Sequence, residues 1–395
     1  MQDSAITLWL LVVFTGITGS IVLAYPLLLL IRSAFFPCRA LQKSPVMDNA
    51  APSLSFIVVI RNAELLIVEK INNLLALDYP QNSFEIIVFS DGSSDQTVTL
   101  AKTADDPRIR VFESKEHIGK NQALNRAIAQ ATGEIVIFSD GDSLIESSSL
   151  RALLMPFADA RTGGVCGKRV IQEKETKLSN AQQTYIAFDS WLKIRESECG
   201  SITSSEGKLS AVRRELLQTV AEGVTDDSYI AFCIIRQGYR FVFEPEARAF
   251  IHLPSRSALH EIDRRRRVVA SSLRGIWLSR SLLNPLRFPF YSMGLLFNKI
   301  GRRFLPLLLI GIFICTLVLA QHSPLMQFIL ADELVFVFLP LLIFPVLPRK
   351  FRNTLIGKII GKLYYIIMGM IGTLLGTLDF LRGKTVTKWE PRKAA

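Results

Sequence analysis

Five short segments carry side chains able to do chemistry. In F-S-D-G-D-S, Phe138–Ser143, the carboxylates of Asp140 and Asp142 stand one residue apart across Gly141. Such a pair grips a hard divalent cation that also holds a diphosphate. Taken alone, a polar turn with Asp capping explains it as well. In S-D-G-S-S-D-Q-T, Ser90–Thr97, Asp91 offers an acceptor to a nucleobase N–H, Gly92 permits a tight turn, and Asp95 reads as a helix cap. In H-I-G-K-N-Q-A-L-N, His117–Asn125, Lys120 sits where a Gly-preceded helix begins, as either a pyrophosphate contact or an exposed lysine. In V-T-D-D-S-Y, Val224–Tyr229, the adjacent acids Asp226 and Asp227 suit a general base, because one raises the pKa of the other. They equally suit a helix N-terminus, which favours acids. The fifth segment is the run Arg264, Arg265, Arg266 and Arg267, read for three of its four members as contact with a lipid surface.

Elements to position these groups follow from the pattern. Apolar runs at Leu54–Ile60, Glu85–Ser90, Ile109–Glu113 and Ile135–Ser139 read as strands. Helical periodicity lies between them at Glu64–Ala76, Gln96–Ala104 and Lys120–Ala131. This alternation predicts an α/β domain with a Rossmann-like parallel sheet. Ligands of such sheets bind at the carboxyl ends of the strands, where Asp91 and Asp140 fall.

The ends of the chain are of another kind. No charged residue occurs from Ile6 to Ile31, long enough to span a bilayer, and Asp3 at the start argues against a cleaved signal peptide. Arg32, Arg39 and Lys43 follow, which places the next domain in the cytoplasm. A linker is read at Pro45–Pro52. Phe304–Ala331 and Leu334–Leu347 read as an out-and-back hairpin with Asp332 and Glu333 between the two runs. Leu363–Leu378 is short, Gly-rich and followed by a basic tail, and reads as a re-entrant or interfacial helix. The chain thus divides into an anchor and linker (1–50), a cytosolic α/β domain (51–255), a membrane-interface segment with the Arg cluster (256–300), and a C-terminal transmembrane region with a basic tail (301–395). The net charge is +11 and the mean hydropathy +0.31. Because the basic residues cluster beside apolar runs, membrane lipids are the expected partner and nucleic acid is not. Five cysteines without a C-x-x-C pair fit reduced thiols.

Taken together and in this order, the motifs resemble the inverting family 2 glycosyltransferases, in the membrane-integrated branch that includes cellulose, hyaluronan and poly-N-acetylglucosamine synthases. The resemblance covers roughly Ser53–Trp277, the flanking membrane layout and the closing K-W-E-P at Lys388–Pro391. It implies a GT-A fold. It also implies a nucleotide-sugar donor (a UDP-sugar), a lipid-linked or glycan acceptor, Mg²⁺ or Mn²⁺, and hexosyl or N-acetylhexosaminyl transfer with inversion at the inner (plasma) membrane. Residue by residue it implies that Asp91 contacts the uracil and Lys120 the nucleotide region. Asp140 and Asp142 form the metal motif, with Asp142 the closest ligand, and Asp227 is the base with Asp226 as runner-up. Gly207–Arg214 resembles the acceptor-side segment, with Gly207, Arg213 and Arg214 as its marked residues.

Departures from the family pattern are informative. The loop after the first strand reads I-R-N-A-E; Arg61, Asn62 and Glu64 remain as donor-binding candidates. The synthases' Q-x-x-R-W window reads R-R-R-R-V, so Arg267 remains for the diphosphate while Val268 replaces the Trp that lines the acceptor in the synthases. Single or short-range addition is therefore expected, with a processive synthase as the alternative and a non-catalytic scaffold as a third reading. Protein partners are not given by the sequence.

Overall fold

The computed structural model describes residues 2–35, 51–171, 179–251, 258–352 and 354–385. The linker at 45–50, Cys38, Arg39, Lys43 and the K-W-E-P motif lie outside the described residues. In chain order the strands are β1 (Leu54–Ile60), β2 (Phe84–Asp91), β3 (Ile109–Ser114), β4 (Ile135–Phe138), β5 (Ser143–Ile145), β6 (Thr162–Ile171), β7 (Ser210–Arg213) and β8 (Arg240–Ile251). The helices are α1 (Gln2–Gly19), α2 (Tyr25–Phe35), α3 (Ile67–Leu75), α4 (Thr97–Lys102), α5 (Lys120–Ile128), α6 (Ser149–Leu154) and α7 (Ser179–Cys199). They continue with α8 (Asp226–Arg236), α9 (Ala258–Leu278), α10 (Pro289–Gly294), α11 (Arg302–Leu319), α12 (Pro324–Val346), α13 (Arg349–Arg352) and α14 (Leu355–Leu381).

One eight-stranded sheet runs in the order β3-β2-β1-β4-β7-β6-β8-β5. The first four strands are parallel and carry the predicted βα alternation. The inner strands β1, β2 and β4 are near-continuous apolar runs because both faces are covered, while the edge strand β3 is half-buried and carries Arg110 and Glu113. One face packs Phe56, Val58, Ile86 and Val88 against Ile67, Ile71 and Leu74 of α3. The other packs Ile57, Ile87, Val136 and Phe138 against α5 and α8. In the order 3-2-1-4 the chain reverses direction across the sheet between β1 and β4, which opens a crevice beyond the carboxyl ends of those two strands. Antiparallel β7 then pairs with β4, Phe138 opposite Ser210 and Ile135 opposite Arg213. This register brings the start of β7 to the crevice.

Four helices among the described residues are long and apolar enough to cross a membrane: Ser4–Phe35, Pro289–Leu319, Pro324–Val346 and Leu355–Leu381. The chain is a membrane protein by these segments. The first is joined to the soluble domain by a buried node. The Glu196 carboxylate of α7 accepts hydrogen bonds from Tyr25 Oη (2.7 Å), Thr203 N (2.8 Å), Thr203 Oγ1 (2.7 Å) and Asn298 Nδ2 (3.1 Å).

Two sequence expectations shift here. The hairpin turns at Ala320–Ser323, where Pro324 starts α12; Asp332 and Glu333 lie inside that helix, and Glu333 accepts from Thr316 Oγ1 (3.3 Å) of α11. Proline at the first helical turn has no N–H to lose, so it marks the start better than the acidic pair does. The last apolar segment is also not short: α14 has 27 residues and spans about 40 Å. Its first half meets the end of α12, with Tyr364 and Phe344 ring centroids 4.9 Å apart. Its last turns meet the start of α11, where Thr377 Oγ1 donates to Arg303 O (2.8 Å). Two stretches of α14, around Tyr364 and Thr377, therefore touch the same end of the α11–α12 hairpin. Its glycine stripe lies on α9: a Cβ at Gly372 would stand 2.8 Å from Ile262 O, and one at Gly376 would collide with Arg266 O. These glycines allow backbone-to-backbone approach.

Candidate active site

The two acidic motifs, 84 residues apart in sequence by the numbering of Asp142 and Asp226, meet in the β1–β4 crevice. The turn after β4 passes so close to β1 that a Cβ at Gly141 would lie 2.7 Å from Ile60 Cγ2, which accounts for the glycine between the acids. Opposite it, Thr225 is extended and α8 begins at Asp226, so both acids occupy the first turn of that helix. Lys120, the first residue of α5 after Gly119 at φ 94°, reaches between the motifs. Its Nζ lies 3.0 Å from Asp140 Oδ1 and 3.0 Å from Asp226 Oδ2. Lys120, Asp140, Gly207, Asp226 and Asp227 line one cavity of about 20 Å³, room for a single water.

The electrostatics separate the carboxylates. Burial at the cavity, then the neighbouring Asp226, push Asp227 up to about 7, the range in which a base exchanges protons near neutral pH. Burial would also raise Asp140, but Lys120 and Lys208 outweigh it and hold its pKa well below the usual carboxylate range. Burial opposes the Lys120 charge, and Asp140 and Asp226 more than restore it. Lys208 Nζ bridges the acidic turn, 2.6 Å from Asp142 Oδ1 and 3.1 Å from Asp140 Oδ2. An ammonium thus stands between two hard oxygen donors. That donor chemistry fits a hard divalent cation, which Asp140 and Asp142 would hold.

The donor-binding candidates form a connected rim. Arg61 Nη1 donates to Asp91 O (3.2 Å), and Asn62, at φ 48°, accepts from Ser94 N (2.8 Å). Glu64 Oε2 accepts from Gln96 N (3.1 Å). Asp95 accepts from Thr97 N (3.1 Å) and Thr97 Oγ1 (2.5 Å), the cap read from sequence. Asp91 is turned inward and is 2% exposed. Its oxygens accept from His117 Nδ1 (2.8 Å), Ile118 N (2.7 Å) and Gly119 N (3.0 Å), so it fixes the loop that delivers Lys120.

Other candidates fall elsewhere. Arg213 donates to Thr162 O (2.9 Å) and Phe157 O (2.8 Å), and Arg214 to Gly133 O (2.8 Å). Antiparallel pairing puts Arg213 beside Ile135, at the far end of β4, about 10 Å along the strand from Ser210. Of the three residues expected on the acceptor side, Gly207 lines the crevice while Arg213 and Arg214 bond backbone carbonyls at the far end of β4. The three arginines read as lipid contacts each have an acidic partner within the protein. Arg264 (2.9 Å) and Arg265 (2.6 Å) pair with Glu261, which is 0% exposed, and Arg266 pairs with Asp379 of α14. Arg267 faces a cleft of about 470 Å³ with Asp263, Arg266 and Lys384. Burial and Arg264 lower its pKa while Asp226 opposes them. Trp191 packs with Tyr25 and Leu29 of the first membrane helix and stacks on Phe188.

Sequence reasoning missed Lys70 and Lys208. Lys70 falls at i+3 from Ile67 on the buried stripe of α3, a position where a charged residue is out of pattern. Lys208 follows Gly207 directly and carries no pattern of its own.

A parallel βαβ sheet with acids at its switch point and an acid pair on the facing helix is the architecture of GT-A glycosyltransferases. Residues 55–221 match the model of glycosyl transferase family 2, and the chain carries a family 2 glycosyltransferase domain. It is 28% identical over 195 residues to a beta-monoglucosyldiacylglycerol synthase of Trichormus variabilis, covering 47% of this chain and 42% of that protein. It is 26% identical over 223 residues to a poly-beta-1,6-N-acetyl-D-glucosamine synthase of Staphylococcus aureus, covering 54% of each. The chain therefore spans about half the length of the curated relatives it matches. The fold is similar to that of the mannosyltransferase PcManGT from Pyrobaculum calidifontis, solved with GDP-Man and Mn2+. The TM-score is 0.72 at 22% identity, covering 95% of this chain and 99% of that one.

Proposed function

We propose that this protein transfers a single hexosyl or N-acetylhexosaminyl unit from a nucleotide sugar to a membrane-borne acceptor, a lipid-linked sugar or glycan, with inversion. The observation that carries the reading is the meeting of Asp140, Asp226 and Asp227 around Lys120 at the β1–β4 crevice. Asp227, tuned to about 7, takes the proton of the acceptor hydroxyl. The oxygen attacks the anomeric carbon from the face opposite the nucleotide. Lys120 and Arg267 offer positive charge to the diphosphate, and the loop fixed by Asp91 shapes the nucleobase end of the cleft. Asp142 and Asp140 are the residues to hold Mg²⁺ or Mn²⁺, which supplies charge neutralisation to the leaving diphosphate.

A UDP-sugar is the proposed donor, by the sequence resemblance; the Mn2+ and GDP-Man of PcManGT support a metal-assisted nucleotide-sugar site and make GDP-mannose the first alternative to test. The reading takes the protein to the cell inner membrane with a cytoplasmic catalytic domain; contacts of α14 with the end of α12 and the start of α11 support α14 as an interfacial helix. A processive synthase is the second reading, favoured by the similarity to a poly-N-acetylglucosamine synthase.

The test is incubation of the purified protein in lipid with a panel of radiolabelled nucleotide sugars, followed by excess unlabelled donor. Label in short, lipid-extractable product is expected. Long polymer formed without exchange would move the processive reading to first place. No transfer from any donor would refute the enzyme.

A further inference from the structure

Beneath the acidic turn lies a lysine that none of the catalytic steps uses. Lys70 is 0% exposed, in the middle of the apolar face of α3. Its Nζ donates to Ser139 Oγ (2.6 Å) and to the carbonyl of Ser143 (2.6 Å), both neutral partners. Those residues immediately precede and follow Asp140–Asp142. A buried ammonium without a carboxylate in contact is costly. The acids on the other side of the turn, Asp140 and Asp142, are the opposite charges that favour it.

Two further contacts make this a built node. One helical turn on, Asn73 exchanges both hydrogen bonds with Ile145: Nδ2 to Ile145 O (2.8 Å) and Ile145 N to Oδ1 (2.8 Å). The strand leaving the turn is thereby held in register with α3. The Ser139 and Ser143 hydroxyls also approach Lys208 O, at 3.2 Å and 3.1 Å. One buried amine thus ties together α3, both ends of the acidic turn, and the segment carrying Gly207 and Lys208.

We propose that Lys70 is a positioning residue: by pinning Ser139 and Ser143 it fixes the separation and aim of Asp140 and Asp142, and with them the affinity of the turn for a divalent cation. The inference rests on the metal reading above. A lysine that only fills the core would leave cation affinity alone, and this separates the two roles. Lys70 does not line the crevice cavity, whereas Ser139 does, so the Lys70 variant carries the test and the Ser139 variant supports it.

The experiment uses the full chain in lipid nanodiscs. Mn²⁺ binding is titrated by electron paramagnetic resonance, with whichever of UDP and GDP the wild type binds. Lys70→Met keeps length and volume but removes the donor. Its Mn²⁺ dissociation constant should rise by about tenfold to a hundredfold, the range seen when outer-shell partners of metal ligands are lost. Metal-free nucleotide binding should stay unchanged. Ser139→Ala deletes one hydroxyl and serves if Lys70→Met does not fold; about a threefold weakening is expected, a lower figure than for loss of a whole outer-shell partner. Wild-type Mn²⁺ affinity in both folded variants would overturn the proposal, as would a parallel loss of metal-free nucleotide binding, which marks general loosening. A wild-type protein that binds no Mn²⁺ would overturn the metal reading along with it.

Discussion

Replacing Asp226 by Asn should move the acid limb of the pH–rate profile without removing the base. Asp227 is raised from 3.8 to about 7 by burial first and by Asp226 second. That displacement favours the neutral acid by about 4 kcal/mol at 1.36 kcal/mol per pH unit. Below the midpoint Asp227 is protonated and cannot accept the acceptor's proton. In the wild type, log kcat/KM should therefore fall with unit slope as pH drops below about 7, and level off above it. In Asp226→Asn the repelling charge is gone, and the limb should shift to lower pH. The plateau should drop as well, because Lys120 keeps only Asp140 as partner. Asp227→Asn should lose about 10²–10⁴ in rate and show no limb. The same shift has a stability sign. A carboxyl raised in the folded state stabilises the fold below its unfolded pKa near 3.8, and that stabilisation disappears as pH rises through about 7. Asp227→Asn should accordingly melt higher than the wild type above neutrality. The assay is initial transfer of label at subsaturating donor from about pH 5 to about pH 9, bracketing that midpoint. An unmoved limb in Asp226→Asn, together with retained turnover in Asp227→Asn, would place the base elsewhere.

Asp142→Asn should abolish cation-dependent turnover with an unchanged melting temperature, because its side chain is 56% exposed; full activity measured without divalent cation would refute the assignment. Arg213→Ala should lower stability by about 1–3 kcal/mol, since Thr162 O and Phe157 O lose their donor, while acceptor KM stays put in steady-state assays. A topology reporter inserted at Gln321 should be external and one fused after Ala395 cytoplasmic; an external C-terminal reporter would make α14 a true span.

The sequence by itself determined the parallel half of the sheet. Leu54–Ile60 and the runs at 85–90 and 135–139 are dominated by apolar residues, 109–113 is a mixed edge run, and amphipathic helices lie between them, so element type follows from local pattern alone. The acids at the strand ends were legible for the same reason, and the first membrane segment because length and charge suffice. What only the tertiary structure decided depends on pairing between distant segments. β7 runs antiparallel to β4, and this turns Arg213 and Arg214 away from the crevice that Gly207 enters; no local pattern encodes a strand's direction. Three arginines that read as lipid contacts are held by Glu261 and Asp379, the latter more than a hundred residues away. Lys70 breaks the apolar stripe of α3 in sequence, but only the docking of α3 places it under the acidic turn. Asp227 is pushed up to about 7 only when folding desolvates it beside Asp226. Secondary structure is written in short-range periodicity, whereas pKa values, ion-pair partners and strand direction belong to contacts that exist only once the chain has closed.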